Sequence, residues 1–120
     1  MIAESLAAGL VERVDGVVVG PALTVTASGE HAGFPGTLSI GTAVMSQVLI
    51  ELGRSADWSA GLVFVNGHGG NRDAVDTAVA VLAGEGRRVL AWWPYVAGGD
   101  AHDGETETAM LLAAAPELVR

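Results

Sequence analysis

Hydrophobic positions recur with a helical period near the start of the chain, and alanine-rich apolar segments follow later. In residues 2–13 the apolar side chains lie three to four positions apart, which is the spacing of one helix face. Gly53 is expected to end the second helix, and Pro116 halts the last one. The predicted helices are residues 2–13, 42–52, 71–84 and 105–115.

Short β-rich runs separate these helices. The predicted strands are residues 17–25, 62–65 and 88–96. Gly20-Pro21 interrupts the first run, and Pro94 lies near the end of the third. Residues 62–65 are all apolar, which is typical of a central strand covered on both faces. Strands that alternate with helices at short spacing predict an α/β fold with a mostly parallel sheet.

Three loops of unusual composition follow the three predicted strands. They are residues 27–37, 66–71 and 97–104. In open α/β sheets, ligands bind beyond the carboxyl ends of the strands. We therefore expect the three loops to gather at one edge of the sheet and to form the functional site.

Composition narrows the class of protein. A chain of 120 residues with 50% hydrophobic and 17% charged residues predicts one folded domain rather than disorder. The net charge of -8 argues against nucleic-acid binding. The absence of Cys and Lys excludes disulfides, thiolate ligands and Schiff-base chemistry. No apolar run reaches the roughly 20 residues that span a bilayer, and no signal peptide is recognisable, so we expect no membrane partner and a cytoplasmic location.

The turn NGHGGN, residues 66–71, admits three interpretations. Its glycines could supply positive φ while Asn71 caps the following helix. Its backbone N–H groups could instead hold an anion at the helix start. In the third interpretation, His68 is a metal ligand on a backbone shaped for close approach.

The segment GGDAHDGETE, residues 98–107, is dense in ionisable groups. They are Asp100, His102, Asp103, Glu105 and Glu107. Imidazole and carboxylates at this density suit a divalent cation or a general acid–base pair. The alternative is a solvated acidic loop before a helix whose first turn favours Glu. Both Glu105 and Glu107 share a helix face with apolar residues, so the helical period does not indicate which of the two is the functional carboxylate.

Glu30 and His31 precede the turn Gly33-Phe34-Pro35-Gly36, whose proline and glycines fix an irregular backbone. Alone, such a Glu-His pair is more often simply exposed. Taken together, EHAGFPGT, VNGHGGN and DAHDGETET occur in the order found in the creatininase family, and the chain resembles that family, in particular its mycofactocin-system branch.

The resemblance implies a three-layer α/β/α sandwich with a mostly parallel sheet, in one partial domain over residues 1–120. It implies a hydrolase of amide or peptide bonds that needs a divalent metal (Zn, Fe or Mn) and forms a homo-oligomer. In this branch the substrate is a modified precursor peptide that loses its C-terminal Val-Tyr dipeptide. The alternatives are an amidohydrolase acting on a small cyclic amide such as creatinine, and an inactive fragment or binding subunit.

The resemblance also assigns residues. His68 falls on a metal ligand, and Glu107 on a ligand or a catalytic base. His102 falls on a residue associated with acid–base or substrate contact. The substrate pocket would be lined by Glu30, His31, Gly69 and Gly70.

One motif of the family is missing from this chain. In the family, a segment close to G-S-x-E-Q-H-G-P-H-L-P-L-x-T-D supplies a Glu, a His and an Asp to the metal. In this sequence no counterpart of that segment precedes Ile2. A C-terminal part also lacks a counterpart, which predicts either a truncated piece of a longer enzyme or a degenerate chain. His68 and Glu107 are then the two expected ligands, and because a catalytic zinc usually takes three protein ligands, this count predicts weak metal binding.

Overall fold

The computed structural model describes residues 2–96, 99 and 104–118. This part of the chain contains the helices α1 (Ile2–Val11), α2 (Thr42–Ser55), α3 (Arg72–Gly84) and α4 (Glu105–Ala114) and the strands β1 (Leu62–Val65) and β2 (Val89–Trp92). Single 3-10 turns lie at Gly29–His31, Gly69–Asn71 and Pro116–Leu118. Among the described residues, no helix is both long and apolar enough to cross a membrane.

Two compact units make up the chain. One consists of Met1–Ala22 and Trp93–Arg120, and in it α1 packs against α4. The other is Leu23–Trp92, which holds α2, α3 and both strands. The single domain expected from chain length stays a prediction.

The unit Leu23–Trp92 is built on a parallel strand pair. Leu62 lies opposite Val89, and Val65 opposite Trp92. Helix α3 joins the two strands and packs against β2 and α2. The buried apolar side chains of each helix are spaced by one, three or four residues, as one face of a helix requires: Met45, Leu49 and Ile50 in α2, and Ala74, Val75, Ala78 and Leu82 in α3. The α/β class with parallel pairing is confirmed.

Gly53 does not end α2, contrary to the sequence prediction, because the helix continues to Ser55. Gly53 is buried where α2 approaches α3. A Cβ at this position would lie 2.3 Å from Cδ1 of Leu82, and Leu82 has no exposed surface. Gly53 therefore serves helix packing, since only a residue without a side chain allows this approach.

Two strand predictions are also wrong. Residues 17–25 form no strand, because Gly20-Pro21 offers little β propensity and Pro21 has no N–H to donate to a ladder. Strand β2 ends at Trp92 instead of residue 96, ahead of Pro94. Coverage of β1 on both faces is wrong as well, since Val63 is 43% exposed and its register partner Leu90 is 51% exposed.

Candidate metal centre

The carboxyl end of β1 leads directly into the candidate site. The N–H of Asn66 donates to the carbonyl of Trp92 at 3.0 Å, which extends the parallel ladder by one residue. His68 follows two positions later with an extended backbone, and the 3-10 turn Gly69–Asn71 then leads into α3. The sheet therefore fixes the backbone from which the imidazole of His68 projects.

Two buried asparagines hold this turn against residue 27. Nδ2 of Asn66 donates to the carbonyl of His68 at 2.7 Å, and Nδ2 of Asn71 donates to Oδ1 of Asn66 at 2.9 Å. Oδ1 of Asn71 accepts the N–H of Ala27 at 3.2 Å. The expectation that Asn71 caps α3 is wrong, because its side chain makes no capping hydrogen bond and is used in these contacts instead.

Three oxygens surround one nitrogen of His68. Its Nε2 lies 3.1 Å from the carbonyl oxygen of Ala27, 3.2 Å from Oγ of Ser28 and 3.1 Å from Oε1 of Glu30. A carbonyl oxygen only accepts hydrogen bonds, so the contact with Ala27 needs either an N–H at Nε2 or a cation between the two atoms.

The 3-10 turn Gly29–His31 brings a second imidazole to the same point. Nδ1 of His31 lies 3.6 Å from Oε1 of Glu30, and the rings of His31 and His68 have centroids 5.9 Å apart. One ligand atom from each of Glu30, His31 and His68 can be chosen so that all lie within 4.8 Å of one another. The structure thus brings together three side chains with metal-binding atoms.

Gly70 leaves the space in which Glu30 meets His68. A Cβ at Gly70 would lie 2.0 Å from Oε1 of Glu30 and 2.7 Å from Nε2 of His68. The interpretation in which these glycines supply positive φ is wrong for Gly69 and Gly70, which form part of a right-handed 3-10 turn. The anion interpretation is disfavoured too, because the carboxylate of Glu30 lies over the turn and would repel a second anion.

The donor set fits a divalent cation. Two imidazoles and one carboxylate are a ligand set used for catalytic zinc. Two ligands bound at about 2.1 Å to a tetrahedral ion lie about 3.4 Å apart, and the distances from Glu30 Oε1 to the two imidazoles, 3.1 and 3.6 Å, bracket that value. The side chains of His68, His31 and Glu30 are 29%, 35% and 44% exposed, so solvent reaches the candidate centre.

Not all of the predicted site residues can be placed beside this centre. Glu107 lies in α4, in the other unit, and its side chain is outside the described part of the chain. His102, Asp100 and Asp103 are outside the described residues. Of the three loops expected to gather, the structure brings residues 27–37 and 66–71 together through the contacts of His68 and Asn71.

Ser28 and Asn66 are site residues that the sequence did not single out. Asn66 carried a usable signal, because an amide directly after an apolar run is expected to be buried and then needs hydrogen-bond partners. Ser28 carried none, since its contact with His68 joins residues 40 positions apart.

Comparisons with known proteins identify the family and several relatives of the chain. The creatininase family model, described as creatinine amidohydrolase, matches residues 1–120. A mycofactocin precursor peptide peptidase from Mycolicibacterium smegmatis is 54% identical over 104 residues, which is 85% of this chain and 42% of that protein. Proteins of the same name from Mycobacterium tuberculosis and Mycobacterium ulcerans are each 50% identical, over 86% and 87% of this chain and 41% and 42% of their own lengths.

The chain thus spans about two fifths of the length of the curated relatives that it matches. No solved structure matches it significantly. The family model nevertheless covers the sequence from end to end, including the turn that carries His68 and the loop that carries Glu30 and His31. This chain belongs to the creatininase family.

Proposed function

We propose that this chain takes part in metal-dependent hydrolysis of an amide bond, and more narrowly that it removes the C-terminal Val-Tyr dipeptide from a modified mycofactocin precursor peptide. The observation that carries the proposal is the convergence of Glu30, His31 and His68. Membership of the creatininase family supports the reaction class, and the names of the relatives support the peptide substrate.

In this proposal Glu30, His31 and His68 hold a zinc, iron or manganese ion. Such an ion supplies Lewis-acid activation of water and of the scissile carbonyl. The resemblance implies His68 and Glu107 as ligands. The proximity of Glu30, His31 and His68 supports adding Glu30 and His31, which the resemblance assigned to the pocket wall. With three candidate protein ligands at one point, we now expect stoichiometric rather than weak metal binding.

The proton donor, the oxyanion-binding groups and the base are proposed to be residues of the chain. Water adds to the amide carbonyl, the C–N bond breaks, and the leaving amine takes up a proton, for which His102 is the proposed donor. Backbone N–H groups of the turn around Gly69 and Gly70 are proposed to hold the developing oxyanion, because in the metal-loaded site the cation would offset the charge of the Glu30 carboxylate that lies over the turn. Glu107 is proposed as the base that accepts the proton of the attacking water.

Metal binding tests the site directly. The purified chain is stripped with a chelator and titrated with Co²⁺, whose absorption spectrum reports imidazole and carboxylate ligation. We expect one equivalent to bind, and we expect Glu30→Gln, His31→Gln and His68→Gln each to weaken binding at least about 30-fold. Asp76→Asn, which removes an exposed carboxylate of α3, is the matched control and should bind as wild type does. Wild-type affinity in the three site variants would refute the assignment.

A substrate assay separates the activities that remain open. The metal-loaded chain is incubated with a peptide that ends in Val-Tyr and, separately, with creatinine, because the family model is described as creatinine amidohydrolase. Release of the dipeptide supports the peptidase. Turnover of creatinine alone identifies an amidohydrolase acting on a small cyclic amide. Stoichiometric metal with neither reaction indicates a binding subunit that needs the parts of its relatives that it does not span.

A further inference from the structure

The Ala27–Ser28 segment is held from two sides while its oxygens face His68. On the buried side, the N–H of Ala27 donates to Oδ1 of Asn71 at 3.2 Å. On the exposed side, the N–H of Ser28 donates to Oγ of Ser39 at 2.9 Å. The carbonyl of Ala27 and the N–H of Ser28 belong to one planar peptide group and point in opposite directions. Ser39 on one side therefore directs this carbonyl towards His68 on the other.

The single amide of Asn71 also reaches the imidazole side of the site. Its Nδ2 donates to Oδ1 of Asn66, and Nδ2 of Asn66 donates to the carbonyl of His68. Asn71 is only 4% exposed and Asn66 only 6%, so water does not replace these bonds readily. Sδ of Met45 lies 3.4 Å from the N–H of Ala27, but a thioether is a weak acceptor and does not substitute for an amide oxygen.

We infer that Asn71 is a positioning residue that sets the distance between the oxygens of residues 27–30 and the imidazole of His68, and so tunes metal affinity without touching the ion. The inference rests on the proposed metal centre. One end of the amide fixes Ala27, and the other fixes Asn66 and through it His68. Replacing this amide frees the Ala27 segment and the turn that carries His68 at once, whereas the candidate ligands all remain in the chain.

The test compares two variants that both destabilise the fold. Asn71→Ala removes the positioning amide, and Leu82→Ala opens a cavity in the core where α3 meets Gly53. Both are titrated with Co²⁺ at a temperature at which circular dichroism shows each to be fully folded. We expect Asn71→Ala to weaken Co²⁺ binding about 10- to 100-fold and to shift the cobalt absorption bands. Leu82→Ala should keep the affinity and the spectrum of wild type.

An affinity in Asn71→Ala within twofold of wild type overturns the inference, and so does an equal loss in Leu82→Ala. If Asn71→Ala does not fold, Ser39→Ala replaces it, because it releases the same segment from an exposed position. Ser39→Ala is expected to weaken binding about threefold, a smaller loss because water can take over at an exposed position. An unchanged affinity in Ser39→Ala then counts against the inference.

A metal-free measurement separates this inference from the proposed function. The chain has three histidines, so their ring ¹H–¹³C resonances can be assigned by single His→Gln substitutions. We expect Asn71→Ala to shift the resonances of His31 and His68, and Leu82→Ala to leave them in place. If wild type binds no Co²⁺, the proposed function fails, and unchanged ring resonances in Asn71→Ala would overturn the positioning role as well.

Discussion

The two ends of the β1–β2 sheet carry polar networks of opposite kinds. At the carboxyl end, the neutral amides of Asn66 and Asn71 are buried and satisfy each other around His68. At the amino end lies an exposed set of charges, which we call the arginine network, formed by Glu51, Arg54, Asp57, Glu85 and Arg87.

The arginine network joins the end of α2 to the segments before each strand. Arg87 binds the carboxylate of Asp57 through two nitrogens, at 2.7 and 2.9 Å. Arg54 contacts Glu51 at 2.6 Å and forms a forked pair with Glu85. Arg87 contacts Glu85 as well, so two arginines share one carboxylate.

Buried amides and exposed charges differ in how well they can hold a functional side chain in one position. Buried amides have one satisfied arrangement, because any other leaves a donor or acceptor unpaired away from water. Exposed charges exchange their partners for water and salt at little cost, so they tolerate many arrangements. We therefore expect changes at the carboxyl end to alter metal binding, and changes at the amino end to alter stability.

The largest expected effect comes from Gly70→Ala. The new Cβ would take the space of the Glu30 carboxylate, which ends a partly exposed side chain and can swing into solvent. The fold should survive while metal affinity falls about 100-fold. Calorimetric titration with Zn²⁺ measures the loss, and Gly84→Ala, where a Cβ meets open space, is the control. Equal affinities in the two variants would remove Gly70 from the site.

Gly53→Ala is the same kind of substitution near the amino end of the sheet, and it should lower stability while leaving metal affinity unchanged. Its Cβ would meet Leu82, which is fully buried and cannot swing out. Overpacking of this kind costs about 1–3 kcal/mol, measured as a lower free energy of unfolding in urea. Zn²⁺ affinity of the folded variant should stay within twofold of wild type. A large loss of affinity would show that the two ends of the unit are coupled.

Acid should weaken the arginine network. Hydrogen bonding and charge from Arg87 lower the pKa of Asp57, and Arg54 chiefly lowers the pKa of Glu85. Because these pKa values are lower in the folded than in the unfolded chain, the stabilisation is present above about pH 4 and is lost as pH falls through the lowered values. The urea midpoint of Arg87→Gln should therefore lie below that of wild type at pH 6, and the gap should narrow as pH falls below about 4.

Arg88, which follows Arg87 in the sequence, provides the control for this pH profile. Arg88 makes no ion pair with any described residue, so Arg88→Gln should follow wild type closely at every pH. A gap between Arg87→Gln and wild type that persists unchanged at pH 3 would mean that Arg87 acts through packing and not through its charge.

Salt should have the smallest effect. Raising NaCl from 0.05 to 1 M shortens the screening length to about 3 Å, so the stability difference between wild type and Arg54→Gln should shrink. The difference between wild type and Gly53→Ala arises from packing and should stay constant over the same range. Thermal unfolding at several salt concentrations measures both, and a salt-independent Arg54→Gln difference would contradict the electrostatic origin.

Local sequence patterns predicted the elements better than the contacts between them. Strand β1 has the predicted bounds because its apolar run is short and sharply delimited. Gly53 was misassigned because a glycine that ends a helix and one that admits a neighbouring helix read alike in sequence. The difference lies in Leu82, 29 positions away, which no local pattern reports.

The same limit applies to the candidate site. His68 stood out because glycines surround it, and the strand-end rule favoured its loop. Glu30 and His31 looked like an exposed pair, since the contact that makes them candidate ligands crosses 38 positions between Glu30 and His68. Whether the carboxylates near residue 105 share this centre stays a prediction.

The hydrogen bond from Asn66 to Trp92 makes the candidate centre dependent on strand pairing. A slip of β2 by one residue would turn alternate side chains to the opposite face and would remove the carbonyl to which Asn66 donates. A partly folded chain with misaligned strands therefore cannot present His68 to Glu30 at the native distance. Cobalt colour should accordingly develop only once the strands have found their register, which makes the ion a reporter of strand register.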